Sequence, residues 1–167
     1  MFNILGIHKE ITSLLHSPAA EGGAGGTGPM ATSAFTATQG SGGIQKLGYD
    51  GQPAKGGISP VVVHNGLIYV AGQGANENHE QATLDITTHV QRAMDNVKKL
   101  VEVAGGDMDH ILQLNVYLAT LEFYEAMNKA YRPYFPNGGP ARCTVSVAGI
   151  PGKSLVEISC IAAVVRK

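Results

Sequence analysis

Residues 140–164 read PARCTVSVAGIPGKSLVEISCIAAV, and the fold turns on this stretch. Residues 144–148 and 155–164 are rich in β-branched side chains and read as two strands. Gly149, Pro151 and Gly152 break the run between them. Arg142 opens the first strand directly after Pro140 and Ala141. One reading makes it a solvated charge on a sheet edge. The other makes it a fixed guanidinium whose planar fork takes a carboxylate through paired hydrogen bonds.

Working outward from this stretch, Pro136, Asn137, Gly138 and Gly139 form a loop that leads into it. A helix is predicted over 121–134, with Thr120 as its N-cap and Glu122 and Glu125 near its positive end. Phe123, Met127, Ala130 and Tyr131 would form its buried stripe, and Pro133 should shorten or kink it. Residues 111–118 alternate as a strand does. Leu112, Leu114, Val116 and Leu118 are expected on one face, and Gln113, Asn115 and Tyr117 on the other. A longer helix is predicted over 83–104. Val90, Ala93, Met94, Val97, Leu100, Val101 and Ala104 share one side at helical spacing. Gly105 and Gly106 supply its stop. Residues 76–82 are polar and read as a loop.

Further back, Val61, Val62 and Val63, then His64, Asn65 and Gly66, then residues 67–71 give a hairpin signal. Asn-Gly favours the positive φ angles of a type I′ turn. Gly72, Gln73 and Gly74 end the second strand, and glycine there lets a ligand or another chain approach the backbone. The order is hairpin, helix, strand, helix, strand, strand. An α+β fold with one mixed sheet and two helices packed on one face satisfies it. The bare face, if apolar, is expected to be buried by association.

Residues 1–44 differ in composition from the remainder. Phe2, Ile4, Leu5, Ile11, Leu14 and Leu15 could line one face of a short helix, which Ser17-Pro18 would end. A Gly/Ala/Thr/Ser-rich run follows to Gly43. It holds too little apolar surface to offset its ordering entropy and reads as a flexible extension. The domain proper is expected over 45–167. A targeting peptide is the competing reading for the extension; the first arginine is Arg92, which argues against a mitochondrial presequence. Met30 is a candidate alternative start.

Net charge is −1, with 12 Lys+Arg against 13 Asp+Glu, and no basic stripe suggests a nucleic-acid partner. The 6 histidines show no metal-ligand spacing, so no metal is expected. No apolar run approaches the roughly 20 residues that span a bilayer, so no membrane partner is expected. Cys143 and Cys160 both fall on predicted strands and read as thiols of a reducing, cytoplasmic setting rather than as a disulfide.

Residues 140–164 resemble the signature of the RidA/YjgF family of reactive-intermediate deaminases. That family carries Pro-Ala-Arg, then Val-x-Val-x-x-Leu-Pro, then Glu-Ile-Glu-x-Ile-Ala. Pro140, Ala141, Arg142, Val145, Val147, Pro151, Glu157, Ile158, Ile161 and Ala162 fall in those places without a gap. The resemblance extends back through Asn128, Tyr131 and Phe135, Val116, Ala104-Gly105, Asn96-Val97 and the Ile68–Gln73 run to about Gly56. It implies a chorismate-mutase-like fold, a trimeric barrel with a cleft at each subunit interface, and no cofactor. It further implies a hydrolytic deaminase that converts a small carboxylate-bearing imine or enamine to a keto acid and ammonia. Arg142 would anchor the substrate carboxylate. Tyr124 and Ile58 would wall the pocket, with Gly72, Thr144 and Cys143 around the substrate.

Departures from the family pattern bear on the chemistry. The second Glu of Glu-Ile-Glu, associated by the resemblance with positioning water, is Ser159 here. A serine hydroxyl orients a water but is too weak a base to replace a carboxylate. Glu157 shares a strand face with Ser159 and could compensate, or it could be an ordinary solvated charge. Ile58 stands where the family has a Tyr, and Ala71 where it has the Ser of Ser-Gly-Gln. The pocket is therefore expected to be drier and more apolar than usual. Two alternatives stand beside the deaminase: a relative recruited to other chemistry on a larger apolar carboxylate, and a non-catalytic trimer that captures carboxylated metabolites.

Overall fold

Asn65 and Gly66 adopt φ of 50° and 76°, the paired positive angles that a type I′ turn requires. They join the strands Val61–His64 (β2) and Leu67–Gln73 (β3), as the sequence predicts. A short strand, Gln45–Leu47 (β1), adds to the outer side of β2. The computed structural model describes residues 43–75 and 85–165. The helix and linker expected within 1–44, the candidate start at Met30 and the loop expected over 76–82 lie outside the described residues.

Asp85 caps the helix Ile86–Val103 (α1), its side chain accepting a hydrogen bond from the Thr88 N–H. The helix thus starts three residues later than the apolar periodicity suggests, because a capping carboxylate sets the end. The expected stripe from Val90 to Ala104 is buried, joined by Ile86 and His89. At the far end Gly105 takes φ of 84°. Its N–H bonds the Glu102 carbonyl, and the Gly106 N–H bonds that of Val101 at 2.9 Å. Both bonds of a Schellman cap are therefore made. Gly106 is required for a second reason: a Cβ there would lie 2.7 Å from the Ile68 side chain.

Ile111–Leu118 (β4) follows, then a single 3₁₀ turn capped by Thr120, the helix Tyr124–Tyr131 (α2), and a second 3₁₀ turn holding Pro133. The predicted 14-residue helix is thus an 8-residue α-helix flanked by tighter turns. Ala141–Ser146 (β5) and Val156–Ala163 (β6) complete the fold. The six strands among the described residues form one sheet in the order β1-β2-β3-β6-β4-β5. β4 and β5 pair in parallel, with α2 in their connection, and the other pairs are antiparallel. The two strands of the 140–164 stretch are not neighbours, for β4 lies between them.

One face of the sheet carries both helices. Val61, Ile68, Val70, Leu114, Val116, Leu118, Ile158 and Ala162 point into this core with the α1 stripe. No helix or strand among the described residues covers the other face. It presents Val62, Tyr69 and Ile161 as one cross-strand row, and Asn115 with Ser159 and Tyr117 with Glu157 as others. Leu112 corrects the alternation expected for β4. The register slips between Ile111 and Gln113, so Ile111 enters the core while Leu112 is 49% exposed.

Candidate functional site

Edge strand β5 lies beside β4 in the register Leu114↔Arg142, Asn115↔Cys143, Val116↔Thr144, Tyr117↔Val145. Opposed residues share a face, so Arg142 and Thr144 point to the helix side with Leu114 and Val116. α2 crosses above them. Met127, Asn128 and Tyr131 are spaced i, i+1 and i+4 and meet the Arg142 side chain. Arg142 Nη2 donates to Asn128 Oδ1 at 2.7 Å. Nη1 faces Met127 Sδ at 3.9 Å, and Cζ lies 4.7 Å from the centre of the Tyr131 ring. All three partners are uncharged, and among the described residues no carboxylate pairs with Arg142. The guanidinium is half-buried, and the groups that hold it leave its charge uncompensated.

The surroundings agree. Asn128 and Tyr131 are buried polar residues in an otherwise apolar stripe. The Tyr131 hydroxyl and Thr144 Oγ1 are buried without a hydrogen-bond partner among the described residues. Burial pushes the Tyr131 phenol upward, opposed by the Arg142 charge. Tyr124 opens α2 and lies three residues before Met127, on the same helical stripe at its solvent end. Ile58 sits in the loop before β2, 79% exposed.

Glu157, Ser159 and Cys143 lie on the opposite face of the sheet from Arg142. The registers Asn115↔Ser159 and Tyr117↔Glu157 place them there, and Asn115 Nδ2 reaches Ser159 Oγ at 3.5 Å. Glu157 packs directly over Gly72, at the bulge where β3 slips register against β6; a Cβ on Gly72 would lie 2.7 Å from the carboxyl carbon. This absence of a side chain is what makes room for the carboxylate. Glu157 also borders an open pocket of about 140 Å³ with Tyr117, Val147, Gly149, Ile150 and Pro151. Among the described residues it has no ion-pair partner. Cys160 points the other way into the core, where burial pushes its thiol up to about 12. No disulfide joins it to Cys143, and both thiols are free.

Apart from Ile58, which stands exposed in its loop, the expected residues thus form two groups, with Arg142, Thr144 and Tyr124 on one side of the sheet and Glu157, Ser159, Cys143 and Gly72 on the other. One ligand touches both groups only by lying beyond the sheet edge or between two copies of the chain. The sequence reading did not single out the grouping of Met127, Asn128 and Tyr131 around Arg142. The available signal was an Asn inside an apolar helical stripe. It also passed over a buried polar node: His89 Nδ1 accepts from the Leu155 N–H at 3.0 Å, while Ser154 Oγ accepts from the Ala75 N–H and donates to the Val156 carbonyl. This node ties α1 and the end of β3 to the start of β6 and is structural. Among the described residues no group of His, Cys, Asp or Glu side chains could hold a metal, and no helix is long and apolar enough to cross a membrane.

Comparison with known proteins bears on this arrangement. The sequence model of the family described as "Endoribonuclease L-PSP" matches residues 51–164. A 2-iminobutanoate/2-iminopropanoate deaminase of Dermatophagoides farinae is 32% identical over 108 residues, covering 64% of this chain and 84% of the relative. The mitochondrial protein mmf2 of Schizosaccharomyces pombe is 31% identical over 111 residues, covering 65% and 88%. The crystal structure of the Escherichia coli YjgF gene product superposes with a TM-score of 0.63 at 27% identity, covering 71% of this chain and 97% of that one. That of YyfA from Yersinia pestis, a Rid-family protein of unknown function, gives 0.65 at 27%, covering 73% and 100%.

Proposed function

The chain belongs to the endoribonuclease L-PSP family, also called RidA/YjgF, and from that premise we propose that it hydrolyses small carboxylate-bearing imines and enamines. The observation that carries this reading is Arg142, a guanidinium that among the described residues is held by neutral groups alone. Such a cation suits a carboxylate, which its remaining N–H groups can grip bidentately. With the carboxylate fixed, water adds to the C=N carbon and the nitrogen takes a proton. The C–N bond then breaks, leaving a keto acid and ammonia.

Glu157 is the group suited to hold and deprotonate that water. It has a pocket beside it and a glycine cleared beneath it, and a carboxylate is a far better base than the Ser159 hydroxyl. Ser159 and Asn115 orient the polar row next to it. Because Arg142 and Glu157 lie on opposite faces of one sheet, a working site that uses both lies beyond the sheet edge or takes the two side chains from two copies. A homotrimer built on the bare face would set Glu157 of each copy at an interface between copies. The family's descriptive name points to RNA, yet 12 basic and 13 acidic side chains give no electrostatic basis for a nucleic-acid groove.

The test is release of ammonia and keto acid from freshly generated 2-iminobutanoate or 2-aminoacrylate. Wild type should accelerate hydrolysis over the spontaneous rate. Arg142→Ala should lose about 2–4 kcal/mol of transition-state stabilisation, roughly 30- to 1,000-fold in kcat/KM. No acceleration by wild type removes the reading for these substrates. The apolar lining of Val147, Ile150 and Pro151 favours a second reading, action on a carboxylate with a larger apolar side chain. Turnover of a leucine-derived imine but not of 2-iminobutanoate would select it.

A further inference from the structure

We propose that Asn128 is a positioning residue whose neutrality is its function: it aims the Arg142 guanidinium without consuming its charge. The inference rests on the reading of Arg142 as carboxylate anchor and names what tunes that anchor. Asn128 is buried in α2, and its Oδ1 takes the Arg142 Nη2 hydrogen at 2.7 Å. A half-buried cation often finds a carboxylate, because taking it even partly out of water unpaired is costly. Here the helix offers an amide oxygen, a thioether sulfur and the face of an aromatic ring. Each attracts a cation through a dipole, a lone pair or a quadrupole, and none neutralises it. The orientation is therefore fixed while the net charge stays on the guanidinium for an incoming anion. Aspartate is almost isosteric with asparagine and would make a stronger bond to Arg142. It would also satisfy that charge internally, leaving a neutral pair with little attraction for a carboxylate.

The geometry gives a rank order that a purely structural role reverses. A structural acceptor would be kept by Asp and lost in Ala, so Asn128→Asp should then behave better than Asn128→Ala. A charge-sparing acceptor requires the opposite. Affinity for 2-oxobutanoate, measured by calorimetry on the full chain, should fall tenfold or more in Asn128→Asp and only several-fold in Asn128→Ala. The thermal midpoint of Asn128→Asp should stay at or above that of Asn128→Ala. In turnover of 2-iminobutanoate both changes should appear in KM, with kcat largely kept. If Asn128→Asp does not fold, Asn128→Glu supplies the same charge on a longer arm: affinity below that of Asn128→Ala supports the proposal, and affinity equal to or above it overturns it. Wild type that binds through Arg142 while Asn128→Asp binds equally well overturns the proposal and leaves the anchor reading intact. Wild type that binds no carboxylate, with Arg142→Ala no different, overturns the anchor reading and the proposal with it.

Discussion

Single side chains divide into those the sequence announces and those that acquire meaning only through a neighbour. Arg142 is announced, since a lone charge inside an apolar strand is conspicuous. Its surroundings come from Asn128 and Tyr131, which only the fold brings to the guanidinium. Gly72 is similar. As a letter it reads as a turn residue, but in the fold it is the floor beneath Glu157. Gly72→Ala should therefore push the carboxylate aside. The atoms displaced are the end of a flexible side chain, so the thermal midpoint should change little. A shift of about 1 Å in a reacting group costs on the order of 10²-fold in rate. A drop in kcat for 2-iminobutanoate without loss of stability is the expected result, and an unchanged kcat would remove Glu157 from the chemistry.

At the level of elements, the helices are set by their ends as much as by their stripes. The Asp85 carboxylate accepts from the Thr88 N–H at 3.0 Å, and this bond holds its pKa below the ordinary value. The sign follows from linkage. A group with a depressed folded-state pKa stabilises fully above its unfolded value, near 3.9, and loses that effect as pH falls through the lower folded value. Asp85→Ala should be less stable than wild type at neutral pH, and the gap should close below about pH 4. Thermal unfolding followed from pH 7 to 2.5 measures this; a gap of constant size would mean that the cap contributes nothing through its charge. The helix over 121–134 was legible in its stripe, but not in its division into an α-helix between two 3₁₀ turns. The tight turns at either end answer to Thr120 and Pro133, which a periodicity does not weigh.

For the whole molecule the decisive feature is the bare face of the sheet. Val62, Tyr69 and Ile161 form an apolar cross-strand row there, and Tyr69 is 41% exposed in the single chain. Such a row is expected to be buried by other copies. Sedimentation should give three times the 17.4 kDa chain mass for wild type and one times for Ile161→Asp. If the site needs Arg142 and Glu157 from different copies, the dissociated variant should also lose deaminase turnover while retaining its helical circular dichroism. A monomeric wild type with full activity would refute that assembly.

The hairpin, both helix stripes, the Gly105-Gly106 stop and the strand character of 140–164 followed from the sequence by itself, because each rests on local periodicity or on the steric freedom of glycine. The shared face of Glu157 and Ser159 followed for the same reason, and Arg142 stood out as a lone cation at the start of an apolar strand. Only the tertiary structure decided which strands are neighbours, since β6 enters between β3 and β4 through contacts far apart in the chain. Only it turned Leu112 outward, through a slip of register that one strand's alternation does not contain. It also decided that the guanidinium and the carboxylate occupy opposite faces. The parity of a strand is local, but which face a helix covers is settled by the packing of the whole core.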